Sequence, residues 1–251
     1  MTNKELEKEV KELRELIASV ARKIDLSIDT EPTRQIIKKM NDCEWEEIID
    51  ICDQDLNTVR FARDDYKEIE LKSGEIVQAR ILGANHDVME NGETASATLF
   101  FTIDGEYEMN VECTNEGGWE CSKMKNTYMQ RIYNLLPDDL KKYIVPVYKT
   151  TSIGGGSEEL EKKLNSLFLL SEVEYSNTTE YSAEGEGEQY SYFKNGGELP
   201  KKWQWLRSPN PGNTSYFSSV YSLGHGGYNY ASGTHGVCPC FAISNQKISH
   251  D

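Results

Sequence analysis

The chain has 251 residues, 37% of them hydrophobic and 27% charged, with a net charge of -15. This acidity excludes a phosphate-binding partner such as nucleic acid or an anionic membrane, because such surfaces need clustered Lys and Arg. No apolar run approaches the ~20 residues needed to cross a bilayer as a helix, and the charged N-terminal stretch lacks a signal-peptide core.

Residues 3–26 carry Leu6, Val10, Leu13, Ile17, Val20 and Ile24 at alternating spacings of four and three. That heptad seam predicts a coiled-coil helix over 1–28 and a homo-oligomer, dimer or trimer, formed through 3–26. Asp29 to Pro32 breaks the helix, and 29–64 reads as a helical linker. A short helix there, 44–54, places Trp45, Ile48, Ile49 and Cys52 on one face.

The period changes at residue 65. Lys67–Leu71 and Ile76–Leu82 flank Ser73-Gly74 as a hairpin, and 96–103 (SATLFFTI) reads as a buried strand. Residues 117–136 read as one long helix, followed by a helical turn at 137–139 and a strand at 144–148. Gly154-Gly155-Gly156 predicts a mobile loop, 167–170 a strand, and 176–190 an irregular loop. The last strands fall at 203–207, 216–222, 228–231 and 237–243. The order is α+β, with a single domain over 65–251.

The stretch after Arg207 holds no charged residue until Lys247. Apolar and turn residues recur in and around it: Trp205, Leu206, Pro209, Phe217, Val220, Ala231, Val237 and Phe241. Between them lie Tyr, Ser, Asn, His and Gly, the composition of an adaptable binding surface. Phe217 and Val220 are three apart, which predicts a bulge between them if both face inward.

Six motifs carry a resemblance: ARILGANHD (79–87), GGWECSKM (117–124), LFLLSEVE (167–174), YSAEGEGEQYSYF (181–193), WLRSP (205–209) and GVCPCFAI (236–243). From about Ala79 onward the chain resembles a domain of unknown function common in gut bacteria and their phages. The resemblance implies a C-type lectin-like fold, related to the targets of diversity-generating retroelements and remotely to formylglycine-generating enzymes. In such targets adenine-directed mutagenesis varies the C-terminal stretch. Carried onto 208–236 of this chain, it implies ligand contacts at Tyr216, Ser219, Tyr221, Leu223, His225, Tyr228, Tyr230 and His235. Trp205, Leu206, Phe217, Val220, Val237 and Phe241 would then hold the surface from behind.

The expectation is a non-catalytic receptor-binding protein whose partner is a cell-surface protein or glycan. It would reside on a phage tail or in a bacterial cytoplasm. One alternative is a formylglycine-generating-type oxidase using Cys238 and Cys240; another is a purely structural virion protein. No cofactor is expected. His225 and His235 lack ligand partners at metal-binding spacing, so they read as surface contacts. His86 reads as a turn anchor and Asp87 as a lone carboxylate. Glu184, Glu186 and Glu188 read as a solvated face rather than a calcium site. No nucleophile-elbow, zinc-protease or phosphate-loop motif is present.

Overall fold

A computed structural model describes residues 38–245. The predicted coiled coil over 1–28 lies outside the described residues. Helix α1 (Trp45–Asp53) opens the domain after a 3-10 turn at Met40–Asp42. Glu44 and Glu47 form a reciprocal capping box at its start, which satisfies backbone donors that the first turn leaves free. Trp45, Ile48, Ile49 and Cys52 are all buried, as the period predicts. They join the one hydrophobic core, and the Trp45 ring meets Phe241 at 6.5 Å. Residues 38–64 are therefore part of the domain and not a linker.

Twelve strands follow. They are β1 (Lys67–Glu70), β2 (Ile76–Ala84), β3 (Ala97–Phe100), β4 (Ile103–Glu108), β5 (Ile144–Val145), β6 (Val147–Ser152), β7 (Leu160–Asn165), β8 (Gln204–Pro209), β9 (Tyr216–Val220), β10 (Gly226–Tyr230), β11 (Thr234–Val237) and β12 (Cys240–Ile243). The first sheet has the order β1-β2-β3-β12-β5, the second β10-β9-β8-β11-β4, and β6-β7 form a separate antiparallel pair. Sheets with few and short helices confirm the α+β class. The β1–β2 hairpin turns at Ser73-Gly74 as predicted, with Gly74 at φ 86°, a left-handed value that a residue with a Cβ adopts only at a cost.

The predicted strand 96–103 is two strands. Its first half, β3, belongs to the first sheet and its second half, β4, to the second. The chain makes the same crossing once more, between β11 and β12. The two crossings touch: Phe101 N donates to Pro239 O at 3.1 Å, and Thr102 Oγ1 lies 3.9 Å from Cys238 Sγ. Pro239 suits this corner because it has no N–H for either ladder to lose.

The helix expected over 117–136 is also broken. It comprises α2 (Gly118–Cys121), a π-helical stretch (Met124–Met129) and α3 (Gln130–Leu135). Ser122 interrupts it. Its backbone is extended, its hydroxyl donates to Trp119 O at 2.7 Å and accepts from Lys125 N at 3.1 Å, and its side chain thus competes with the helix. Residues 167–170 form no ladder beyond a single bridge from Phe168 to Cys240. The pair β6–β7 includes residues 160–165, which the periodicity does not mark as a strand.

The glycine loop at 154–156 is packed rather than mobile. A Cβ on Gly154 would lie 1.8 Å from Asn115 O, and Gly155 N donates to Asn115 Oδ1 at 2.9 Å. Asn115 is fully buried, and its amide also donates to Asn213 O at 2.7 Å and Tyr216 O at 2.8 Å. One side chain therefore ties the glycine loop to the loop that leads into β9.

Candidate ligand-binding surface

The expected scaffold residues Trp205, Leu206, Phe217, Val220, Ala231, Val237 and Phe241 are all buried. Strand β9 lies between β8 and β10, and Phe217, Ser218, Ser219 and Val220 are buried in succession. Both faces of this strand are covered, so Phe217 and Val220 need no bulge between them. The β9–β10 ladder is continuous, and the irregularity lies instead in β8, between Trp205 and Pro209.

The predicted contacts divide into four groups. Tyr216, Tyr228 and Tyr230 come together on one face of the hairpin. Tyr216 stacks on Tyr228 at 4.8 Å and meets Tyr230 edge-on at 4.7 Å. Tyr228 and Tyr230 are 42% and 52% exposed, enough to offer most of one ring side each. Tyr221 turns to the opposite face, where it packs on Trp203 at 4.1 Å and covers Gly227. Leu223 and His225 project from the hairpin tip, both exposed.

Ser219 and His235 correct the expectation. Ser219 is fully buried in the centre of the sheet. His235 is buried against Trp205 at 4.4 Å and Trp203 at 4.9 Å, and its Nε2 meets Asn229 Nδ2 at 3.0 Å. Asn229 Oδ1 already accepts from Tyr230 N, so the amide donates to the imidazole. Burial pushes the His235 pKa down, which keeps the ring neutral and able to accept. It is a packing residue, not a free contact.

Tyr181 joins the tyrosine face without being predicted. Its ring lies 5.1 Å from Tyr228, and its backbone N–H donates to the buried Glu172 Oε2 at 2.8 Å. Ser218 Oγ donates to Tyr181 O, which fastens the 176–190 loop against β9. That loop is irregular as expected. A neutral tyrosine in a motif otherwise rich in Glu and Gly was the available signal.

Behind the surface lies a buried ionic cluster. Lys149 Nζ pairs with Asp87 Oδ1 at 2.6 Å and with Glu174 Oε1 at 2.7 Å. Arg207 forks onto Glu174, with Nη2 at 3.0 Å from Oε1 and Nη1 on Oε2. Arg207 also donates to Leu169 O at 2.8 Å, Glu186 O at 3.0 Å and Thr151 Oγ1 at 3.0 Å. Tyr190 hydroxyl donates to Asp87 Oδ2 at 2.6 Å, and Thr98 donates to the same oxygen. Asp87 is thus no lone carboxylate, and His86 rests on the Tyr190 ring at 4.2 Å. Asp87, Glu174, Tyr190 and Arg207 each belong to a different one of the six motifs.

Glu186 is also buried, which corrects its placement on a solvated face; Glu184 and Glu188 are exposed. Its Oε1 accepts from Ser152 N at 2.9 Å, while Oε2 has no hydrogen-bond partner. Burial raises its pKa to about 7, only partly opposed by the Ser152 amide and the Arg207 charge. Burial would raise Glu174 too, but the Arg207 and Lys149 charges outweigh it and hold Glu174 at about 2. The signs are opposite. Glu174 contributes stability above its ordinary value of 4.5 and loses it as pH falls towards 2. Glu186 contributes stability below 4.5 and loses it as pH rises through 7. Stability is therefore expected to peak near pH ~5. Glu186→Gln should flatten the decline between about pH 5 and 8, read as urea midpoints across that range.

Cys238 and Cys240 are buried at the crossing between the sheets. Burial pushes the Cys238 thiol up to about 12 and Cys240 well above the usual thiol range. Both are held as thiols rather than thiolates, and the thiolate is the nucleophile. All six cysteines are free. Among the described residues no group of three His, Cys, Asp or Glu is placed to hold a metal, and no helix is long and apolar enough to cross a membrane. A separate cleft of about 160 Å³, lined among others by Phe61, Arg63, Tyr192 and Asn195, contains none of the predicted contacts.

The fold and site define an α+β domain that presents an aromatic, uncharged hairpin over a buried ionic scaffold. Residues 89–245 match the model of a domain of unknown function, DUF6273, and the chain belongs to that family. Searches of curated proteins and of solved structures find no match.

Proposed function

We propose that this chain is a non-catalytic binding protein with a C-type lectin-like domain, displaying the Tyr216, Tyr228 and Tyr230 face to a cell-surface protein or glycan. One observation carries the reading. Large aromatic rings stand half-exposed and in mutual contact on a strand whose neighbours are fully buried. Rigid tyrosines provide contact area at low entropy cost, and an uncharged surround is readily desolvated. The separation of exposed hairpin positions from a buried frame also suits a sequence that varies at its surface. We therefore propose a diversified target of a diversity-generating retroelement, carried on a phage tail or kept in a bacterial cytoplasm. A coiled coil over 3–26 would multiply weak single sites by avidity.

The neighbouring DNA tests this. A near-copy of the coding sequence for 208–241 beside a reverse transcriptase, differing only at adenines, is expected. Its differences should fall on the codons of Tyr216, Leu223, His225, Tyr228 and Tyr230. Differences concentrated on Trp205, Phe217 or Val220, or the absence of such a copy, would overturn the retroelement role. The protonated, buried thiols of Cys238 and Cys240 weigh against the oxidase alternative.

A further inference from the structure

On the face of the second sheet opposite the tyrosines lies an open groove. It runs between the bulged turn of β4 and the start of β8, and Trp203 forms part of its lining. We propose that this groove is a saccharide subsite that takes one face of a neutral hexopyranose ring on Trp203.

Three observations point there. The first is Trp203 itself. It is 41% exposed, whereas Trp45, Trp119 and Trp205 are at most 5% exposed. Tyr221 at 4.1 Å and His235 at 4.9 Å hold its ring, so stacking a ligand on the remaining surface freezes little further motion. A pyranose presents a patch of C–H groups to such a ring, while its hydroxyls lie around the edge.

The second is the rim. Glu106 and Asp104 supply carboxylate acceptors and Lys202 an ammonium donor, the chemistry that equatorial hydroxyls pair with. Thr234 Oγ1 holds Glu106 Oε2 at 3.1 Å, and Lys202 lies 3.7 Å from Asp104. A bulge between Ile103 and Tyr107 sets this rim. Gly105 makes the bulge possible at φ 138°, since a Cβ there would lie 2.8 Å from the Tyr107 hydroxyl.

The third is in the wall. Gln204 is fully buried, yet neither atom of its carboxamide has a hydrogen-bond partner. A Cβ on Gly236, a lining residue of the groove, would come within 2.9 Å and 3.1 Å of those two atoms. Buried amides are almost always paired, so an orphan amide against the wall of a groove marks unmet hydrogen-bonding capacity there.

A quaternary ammonium ligand fits less well despite the carboxylates. Such cations need several aromatic walls facing one cavity, and Trp203 and Tyr221 instead lie against each other with planes at 51°.

This site goes beyond the tyrosine surface and uses neither Tyr228 nor Tyr230. The full chain is titrated with cellotetraose, mannotetraose and the tetramer of N-acetylglucosamine, following tryptophan emission and calorimetric heat. A saturable response to at least one of them is expected. Trp203→Ala should abolish the heat, Glu106→Gln should weaken binding by about tenfold, and Tyr230→Ala should bind as the parent chain does. No saturable response to any of the three sugars would overturn the proposal. So would unchanged binding by both Trp203→Ala and Glu106→Gln, or a response to tetramethylammonium in place of the sugars. The tyrosine face is read by cell capture instead, so either site can fail without the other.

Discussion

Arg207→Met is expected to destabilise the domain by about 3–5 kcal/mol, a large part of the ~5–15 kcal/mol that holds most domains folded. Arg207 is fully buried and forks onto Glu174, and it also serves the carbonyls of Leu169 and Glu186. Removing it leaves Asp87 and Glu174 to share Lys149 alone. A buried carboxylate that loses its partner keeps its desolvation cost and loses the attraction that offset it. Urea unfolding reads the loss directly. Arg207→Met with Glu174→Met should recover part of it, because the pair then leaves together and no charge is stranded. A loss under about 1 kcal/mol for the single variant would show that water reaches the cluster.

Tyr228→Ala with Tyr230→Ala is expected to lower capture of intact gut bacterial cells by about 100-fold or more, with little change in melting temperature. Both rings are half-exposed, so truncation removes ligand contact and little core. Labelled full-length protein and flow cytometry measure the first effect, and calorimetric melting the second. Phe217→Ala supplies the contrast. That ring is fully buried, and its loss should cost about 3–5 kcal/mol of stability. If the tyrosine pair melts as early as Phe217→Ala does, the two rings are scaffold. If capture is unchanged, the face is not the contact surface.

Where burial follows a period, the residues announce it. Trp45, Ile48, Ile49 and Cys52 sit three and four apart and share one side of a helix. The hairpin at Ser73-Gly74 was equally legible, since two alternating runs flank a turn that only glycine closes easily. The large apolar residues of 205–241 were legible as scaffold for the same reason. Ser219 was not, because a central strand covered on both faces has no polar side, and a serine there looks like one in a loop. His235 was misread because its partners Trp203 and Trp205 lie on another strand or beside it. The ionic cluster was the largest omission. Asp87, Lys149, Glu174 and Arg207 are spread over more than a hundred residues, and each alone reads as an ordinary charge. The signal was local: Glu174 ends the apolar run LFLLSEVE, and Arg207 stands inside WLRSP. Charges set in apolar motifs need partners, and the sequence does not say which.

The two crossings at Phe101 and Pro239 carry a consequence for how the chain is made. Strand β12 lies inside the first sheet, between β3 and β5, and β11 lies inside the second, between β8 and β4. Neither sheet closes around its middle until residues 234–243 have left the ribosome. More than a hundred residues of β2, β3, β4 and their helices must wait, with apolar faces open, for the strands that complete them. Synthesis therefore ends on a step that locks both halves at once, and a stall before residue 234 leaves a chain with two gaps rather than a smaller domain.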